Sequence, residues 1–212
     1  MVVKKAISGQ YFDVDQILTS AEAAEFVKAG YLGVVRYIPR TPALAAGNLT
    51  AGEMQNILEG GLALSVVQHC PEPNWLPTAA LGTLYGSYAV QYAESTGLPK
   101  GMHIWLDLEM VNPSAKVEDI TAYCTNWFNE VQAGGYLGAL YVGWQTGLSA
   151  YQLYMNLPFR AYWKGYNADI AVATRGYMIT QHPQKTLNGI EFDEDIIAPD
   201  DIGDLPMLLY PS

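Results

Sequence analysis

Two rhythms of apolar and polar positions alternate along this chain. Short segments rich in Val, Ile, Leu and Tyr carry the two-residue period of strands, or are apolar throughout. Longer segments between them carry apolar residues three and four apart, the period of helices. A first strand reads over 7–14. Thr19-Ser20-Ala21-Glu22 has the form of a capping box and opens a helix through Ala29, ended by Gly30. Gly33 to Ile38 is a second strand, stopped by Pro39. Thr50-Ala51-Gly52-Glu53 is a second capping box, before a helix that buries Met54, Ile57 and Leu58. Leu62 to His69 is a third strand, Thr78 to Ser95 a long helix ending at Gly97, and Met102 to Met110 a fourth strand. Pro113 and Ser114 start a helix to about Ala133, stopped by Gly134-Gly135. Leu137 to Trp144 is a fifth strand and Ser149 to Met155 a short helix. Phe159 to Trp163, Tyr177 to Gln181 and Gly189 to Asp193 complete the strands.

Strand–helix alternation predicts a parallel sheet. Eight such strands predict an α/β fold: a single small (β/α)8 TIM-type barrel, with short or missing helices in the last units, occupying 1–212 as one domain. The competing fold, a doubly wound open sheet, needs a glycine-rich turn after the first strand, and Phe12-Asp13-Val14-Asp15-Gln16 is not one.

Parity then separates the two faces of each barrel strand. On the fourth strand, Ile104, Leu106, Leu108 and Met110 are uniformly apolar and belong against the helices. His103, Trp105, Asp107 and Glu109 point inward. On the first strand the same reasoning sends Tyr11, Asp13 and Asp15 inward, and on the eighth Glu191, Asp193 and Asp195. Acids thus gather at strand C-terminal ends, the rim where barrels of this kind hold their active sites. The first and eighth strands meet at the closure, which brings Asp13 and Asp193 close together. Arg36, Gln68 and Gln181 are further polar candidates, placed on the interior by similar parity. Tyr141 and Tyr162 join them on the fifth and sixth strands. Trp75, Trp144 and Trp163 lie near strand ends and are candidates for lining a groove, while Trp127 sits mid-helix and reads as core. Arg36 also reads as a structural counter-ion to nearby acids.

Composition narrows the chemistry. Half of the 212 residues are apolar, 15% are charged and the formal net charge is −10, which disfavours a nucleic-acid backbone as partner. No stretch reads as a membrane span or secretory signal, so the expectation is cytoplasmic synthesis without membrane insertion. Release to a cell wall, association with a phage particle and a lost leader are the open alternatives. Cys70 and Cys124 have no metal-like spacing and read as reduced thiols; no metal or cofactor is expected. Asp107 and Glu109 are same-face neighbours on one strand, roughly 6.5–7 Å apart by the rise per residue. Neighbouring carboxylates push their pKa values apart, which gives one site both an acid and a base, as in glycosidic bond cleavage. The spacing leaves open a direct nucleophile, a water-mediated route and attack by a substrate acetamide. Clustered carboxylates also suit a divalent-metal phosphodiesterase, though with only His69, His103 and His182 in support.

Three segments carry a resemblance: Phe12-Asp13-Val14-Asp15, Leu106-Asp107-Leu108-Glu109 and Gly189-Ile190-Glu191-Phe192-Asp193. In order and spacing they resemble the acidic signatures of family 25 glycoside hydrolases. With Val34-Val35-Arg36-Tyr37-Ile38, Val67-Gln68 and Leu140-Tyr141-Val142-Gly143, the chain is more similar still to the actinobacterial and phage glycoside-hydrolase-like domains related to that family. The likeness runs from about Ser8 to Ile197. It implies a lysozyme-like barrel acting on peptidoglycan or another N-acetylated glycan, with carbohydrate polymer as partner. Glu109 would be the general acid, Asp107 its partner, and Asp13 and Asp193 would complete the catalytic set. Arg36, Gln68, Tyr141, Tyr162, Gln181, Trp144, Asp15 and Asp195 are the expected substrate contacts. The chain departs from the pattern at Asp15, where a small hydroxyl is usual, at Asp195, where an amide is common, and at Lys164, where a small residue is common. The alternative function is a catalytically inert glycan-binding or structural barrel in a cell-wall or phage assembly.

Overall fold

The computed structural model describes residues 1–43, 45–168 and 170–211. In chain order the elements are β1 (Val2–Lys5), β2 (Gly9–Val14), α1 (Ser20–Lys28), β3 (Gly33–Ile38), α2 (Ala51–Glu59), β4 (Ala63–Gln68), α3 (Ala79–Thr96) and β5 (His103–Leu108). They continue as α4 (Val117–Ala133), β6 (Leu137–Val142), α5 (Ala150–Met155), β7 (Tyr162–Lys164), β8 (Ile179–Leu187), β9 (Ile190–Ile197) and β10 (Met207–Tyr210). Strands β4, β3, β2, β9, β8, β7, β6 and β5 follow one another around a closed barrel, and the β4–β5 pairing seals it. Among the described residues no helix is long and apolar enough to cross a membrane.

The expected all-parallel sheet is corrected at one strand. β9 runs antiparallel to both its neighbours, β8 and β2. The cause is local: β8 and β9 are joined at Asn188-Gly189, and both residues have positive φ (51° and 84°). A two-residue turn of this kind closes a hairpin and is far too short for a parallel crossover. The acids of β9 therefore stand at the beginning and middle of a descending strand. The register still sets Asp13 opposite Asp193, as the closure predicts.

Side-chain parity builds two separate cores. Ile104, Leu106 and Leu108 pack outward with Phe12, Val14, Phe192 and the helices. Phe12 stacks on Phe26 of α1 at 3.8 Å between ring centroids, with Tyr31 and Phe192 edge-on around them. Trp105, Trp163, Tyr11, Val35 and Val67 fill the barrel interior. The helices start as their caps direct. Thr19 and Glu22 complete a reciprocal box at α1. Thr50 caps α2, but Glu53 turns its carboxylate away to Arg36 and the Leu18 N–H. An unanticipated reciprocal box, Ser149 with Gln152, opens α5. Helix α4 begins at Val117, three residues later than Ser114.

Two further strands close the lower end. β1 and β10 form an antiparallel ladder, and Leu209 pairs with Leu64 near the start of β4. Leu208 and Tyr210 enter the inner core. The Tyr210 hydroxyl lies 3.1 Å from that of Tyr11 and accepts the Ile7 N–H at 3.1 Å. The Met207 N–H donates to Nδ1 of His103 at 2.7 Å, at the start of β5. Burial lowers the His103 pKa to about 4, so the ring is neutral and able to accept. Because the folded value lies below the free one, this contribution is complete above about pH 6.5 and lost as pH falls toward 4. His103→Ala is expected to cost about 1–3 kcal/mol, measured by urea unfolding at pH 7. It should also speed amide exchange at Met207 and lose less stability than the wild type between pH 6.5 and 4.

Candidate active site

Strand β5 delivers Asp107 near its C-terminal end and Glu109 just beyond it. Asp107 is 6% exposed. Its Oδ2 accepts the Cys70 N–H at 3.2 Å, and its Oδ1 has no partner among the described residues. Burial, reinforced by the charge of Glu109, holds the Asp107 carboxyl well above the usual range. Glu109 is half-buried and its pKa is raised by burial. The chain turns sharply after it. Met110 has a φ of 52°, its N–H bonds Trp144 O at 2.8 Å and its carbonyl accepts from Asn74 N–H at 2.9 Å. The Trp75 indole donates to Glu109 O at 2.9 Å. Such over-determination is what keeps a left-handed non-glycine residue in place. Gly143 lies alongside, and a β-carbon there would stand 2.5 Å from Glu109 Cβ.

Opposite, Asp13 accepts from the Tyr37 hydroxyl at 2.7 Å and from Gln181 Nε2 at 2.8 Å. Its burial outweighs these donors and pushes its pKa up to about 7. Gln181 Nε2 also reaches Asp193 Oδ2 at 3.3 Å, while its Oε1 accepts from Tyr141 OH and Tyr166 N–H, each at 3.0 Å. Both ends of that amide are engaged, so Gln181 ties two acids to two tyrosines. Asp193 is half-buried and raised by burial, then by Asp15. Asp195 is fully buried and held well above the usual range by burial, then by Asp13; Trp163 Nε1 donates to it at 2.9 Å.

A cavity of about 230 Å³ opens between these acids, lined by Tyr37, Asp107, Glu109, Tyr141, Trp163 and Gln181 together with Asp193, Trp144, Tyr166 and Asn167. No Lys, Arg or His lines it among the described residues. A larger groove of about 690 Å³ shares Tyr37 and Asp193 with it and carries Asp15, Gln16, Gln184 and Glu191.

The structure brings Asp13, Asp107, Glu109, Asp193, Tyr141, Gln181 and Trp144 together and moves five expected contacts elsewhere. Arg36 faces the helices, fully buried, donating to Glu53 at 2.7 Å and to the carbonyls of Val14 and Gly47. Gln68 also faces outward, donating to Pro39 O and Tyr85 O and accepting from Trp127 Nε1. Tyr162 spends its hydroxyl on Leu153 O and Phe159 O. In each case the adjacent residue, Tyr37, Val67 or Trp163, is the inward one. Asp15 lies past the end of β2, where strand alternation no longer applies; its side chain is 75% exposed and sits 3.6 Å from His69. Asp195 faces inward but below the cavity, out of a ligand's reach. Glu191 is exposed on the groove, not inside the barrel. Trp75 is buried against Tyr123 and supports the Glu109 backbone instead of lining a groove. Cys70, Tyr37, Tyr166 and Asn167 are site residues beyond those expected from the sequence. Strand parity identifies Tyr37, while the other three depend on loop paths.

The profile of the Rv2525c-like, glycoside hydrolase-like domain family matches residues 24–196, a span that holds β3 to most of β9 and both acids of β5. The chain belongs to this family. Solved structures share the fold of this Rv2525c-like domain at low identity. An uncharacterized protein of B. stearothermophilus superposes with a TM-score of 0.68 at 17% identity, covering 89% of this chain and 95% of its own. The Mycobacterium tuberculosis Tat-secreted protein Rv2525c, in complex with HEPES, gives 0.67 at 14% identity over 92% of this chain and 98% of its own. The catalytic domain of endolysin ply40 from bacteriophage P40 of Listeria monocytogenes gives 0.60 at 13%, over 99% and 96%. No curated protein matches the chain significantly.

Cys70, Asp107 and Glu109 each bring one ligand atom within 4.8 Å of the others. In this Rv2525c-like chain the three are already joined by hydrogen bonds from the Cys70 N–H and S–H. Burial, with both acids beside it, pushes the Cys70 thiol far up and favours its protonated form.

Two outcomes test this geometry. The folded pKa of Asp13 lies above its free value, so its stabilising contribution is present below about pH 4 and lost as pH rises through 7. Thermal melts of Asp13→Asn should therefore lack a fall in Tm that the wild type shows across that window. Gly143→Ala is expected to displace Glu109, lowering turnover on any accepted substrate by about 100-fold and costing about 1–3 kcal/mol of stability, read by urea unfolding.

Proposed function

We propose that this chain is a glycoside hydrolase acting on an N-acetylated glycan, peptidoglycan foremost, with Glu109 as general acid and Asp107 as the carboxylate that orients the substrate. The observation that carries this reading is the Asp107–Glu109 pair: a buried and a half-buried carboxyl at the end of one strand, facing the cavity, with oxygens within 4.8 Å and no cation lining it among the described residues. Burial raises the pKa of Glu109, the direction a general acid requires. Glu109 gives that proton to the glycosidic oxygen as the C1–O bond breaks. The depth of Asp107 makes it a poor direct nucleophile, yet its side chain lines the cavity, suited to accept an acetamide N–H. The acetamide oxygen then attacks C1, and water, deprotonated by Glu109, opens the resulting ring. Asp13 and Asp193 supply a negative field for the positive charge that develops at C1. Tyr141, Tyr166 and Trp144 line the cavity, where aromatic side chains suit contact with sugar rings.

The choice of peptidoglycan is supported by the endolysin catalytic domain among the structural relatives and by the acidic motifs that resemble family 25. One observation favours a second reading, a glycan-binding barrel without turnover. A carboxyl buried as deeply as Asp107 beside Glu109 is pushed toward its neutral form, which is a weaker stabiliser of a cationic centre. Zymography and soluble-fragment release on purified peptidoglycans separate the two. Glu109→Gln should reduce kcat by about 10²–10⁴-fold while glycan pull-down is retained. Glycan capture by the wild type with no cleavage would favour the second reading, and unchanged turnover in Glu109→Gln would remove Glu109 from its role.

A further inference from the structure

Cys70 touches both acids of the pair. It follows His69 in the loop after β4, and its carbonyl is gripped by the Arg40 guanidinium. Its N–H donates to Asp107 Oδ2 at 3.2 Å, and its Sγ lies 3.6 Å from Glu109 Oε1, a hydrogen-bonding distance for sulfur. The loop is fastened to the chain that follows Glu109: Asn74 N–H bonds Met110 O at 2.9 Å, Asn112 N–H bonds Trp75 O at 2.9 Å, and Trp75 bridges to Val111. Cys70 therefore cannot drift relative to the acids without unpicking these bonds. As a protonated thiol it serves Glu109 as a donor. A donor on Oε1 marks that atom as the carbonyl oxygen of the neutral acid, which leaves the proton on Oε2. The second cysteine, Cys124, is fully buried among the helices and away from the cavity.

We propose that Cys70 is a positioning residue for the carboxyl pair: its backbone N–H fixes Asp107, and its thiol fixes Glu109 so that the transferable proton resides on Oε2. The catalytic half of this statement rests on Glu109 being the general acid; the hydrogen-bonding half does not. The S–H bond favours the charged form of Glu109, so its removal raises the pKa of that carboxyl. The backbone bond to Asp107 survives every substitution at this position, so a difference between variants reads the thiol alone.

The test compares wild type, Cys70→Ala and Cys70→Ser by ¹³C-carboxyl NMR titration of glutamate-labelled protein, with the Glu109 resonance identified by its loss in Glu109→Gln. The Glu109 titration should move to higher pH in Cys70→Ala and return in Cys70→Ser, which restores a donor. On a cleavable glycan, Cys70→Ala should lower kcat about tenfold at unchanged KM and shift the basic limb of the pH profile upward, and Cys70→Ser should recover most of the rate. A Glu109 titration identical in all three proteins overturns the proposal, as does a Cys70→Ala variant with wild-type kcat and pH profile. If alanine impairs folding, Cys70→Val replaces it as a donorless side chain of similar volume. Should the wild type cleave no glycan, the hydrolase reading fails while the carboxyl titration still decides whether the thiol holds Glu109.

Discussion

Carboxyls that cannot all be charged at once govern this structure. Asp13, Asp107, Glu109, Asp193 and Asp195 crowd the inner face and mouth of one closed barrel, and burial raises the pKa of every one of them. Among the described residues no cation lines the cavity that Asp107, Glu109 and Asp193 share. Neutral donors do the work that a cation would otherwise do: Tyr37 and Gln181 on Asp13, Cys70 on Asp107 and Glu109, Trp163 on Asp195. Such donors moderate the repulsion without removing it, so protons are retained where ordinary carboxylates would have lost them. A site of this kind stores both proton donors and negative field, the two requirements of glycosidic cleavage.

The rest of the fold stabilises an arrangement that is unfavourable in itself. Arg36 and Glu53 form a buried pair on the helix side, between β3 and α2, and Arg175 binds Asp200 and Asp204. The aromatic group of Phe12, Phe26, Tyr31 and Phe192 binds β2 and β9 to α1 directly behind the strands that hold Asp13 and Asp193. Below, Leu208 and Tyr210 close the barrel so that the mouth is the open end of the inner core. Strain sits beside the acids, at Met110, and is held there by bonds from two loops.

Much of this was legible in the chain where the signal was local. The unbroken apolar series Ile104, Leu106, Leu108 fixes the phase of β5, and Asp107 and Glu109 follow from it. The pairing of Asp13 with Asp193 follows from closure alone. Arg36, Gln68 and Tyr162 each stand one position out of phase with the inward side chain of their strand, because β3, β4 and β7 are apolar or aromatic on both faces and leave the phase open. A buried polar residue can equally be satisfied on the helix side, and Tyr37, one position from Arg36, is the inward side chain. The reversed β9 was written in Asn188-Gly189, whose turn chemistry outweighs strand–helix alternation. The β1–β10 ladder joins the two ends of the chain, so no local pattern announces it. Cys70 belongs to no motif; only the path of its loop brings it to the acids.

The central claim is that the acid pair of β5 is where a glycosidic bond lies. A crystal soak of Glu109→Gln with an N-acetylglucosamine oligomer tests it most directly. The account predicts a glycosidic oxygen within hydrogen-bond distance of the residue 109 side chain and an acetamide N–H on Asp107. A sugar chain bound only in the outer groove beside Asp15 and Glu191, with the cavity at Asp107 and Glu109 empty of it, would contradict it.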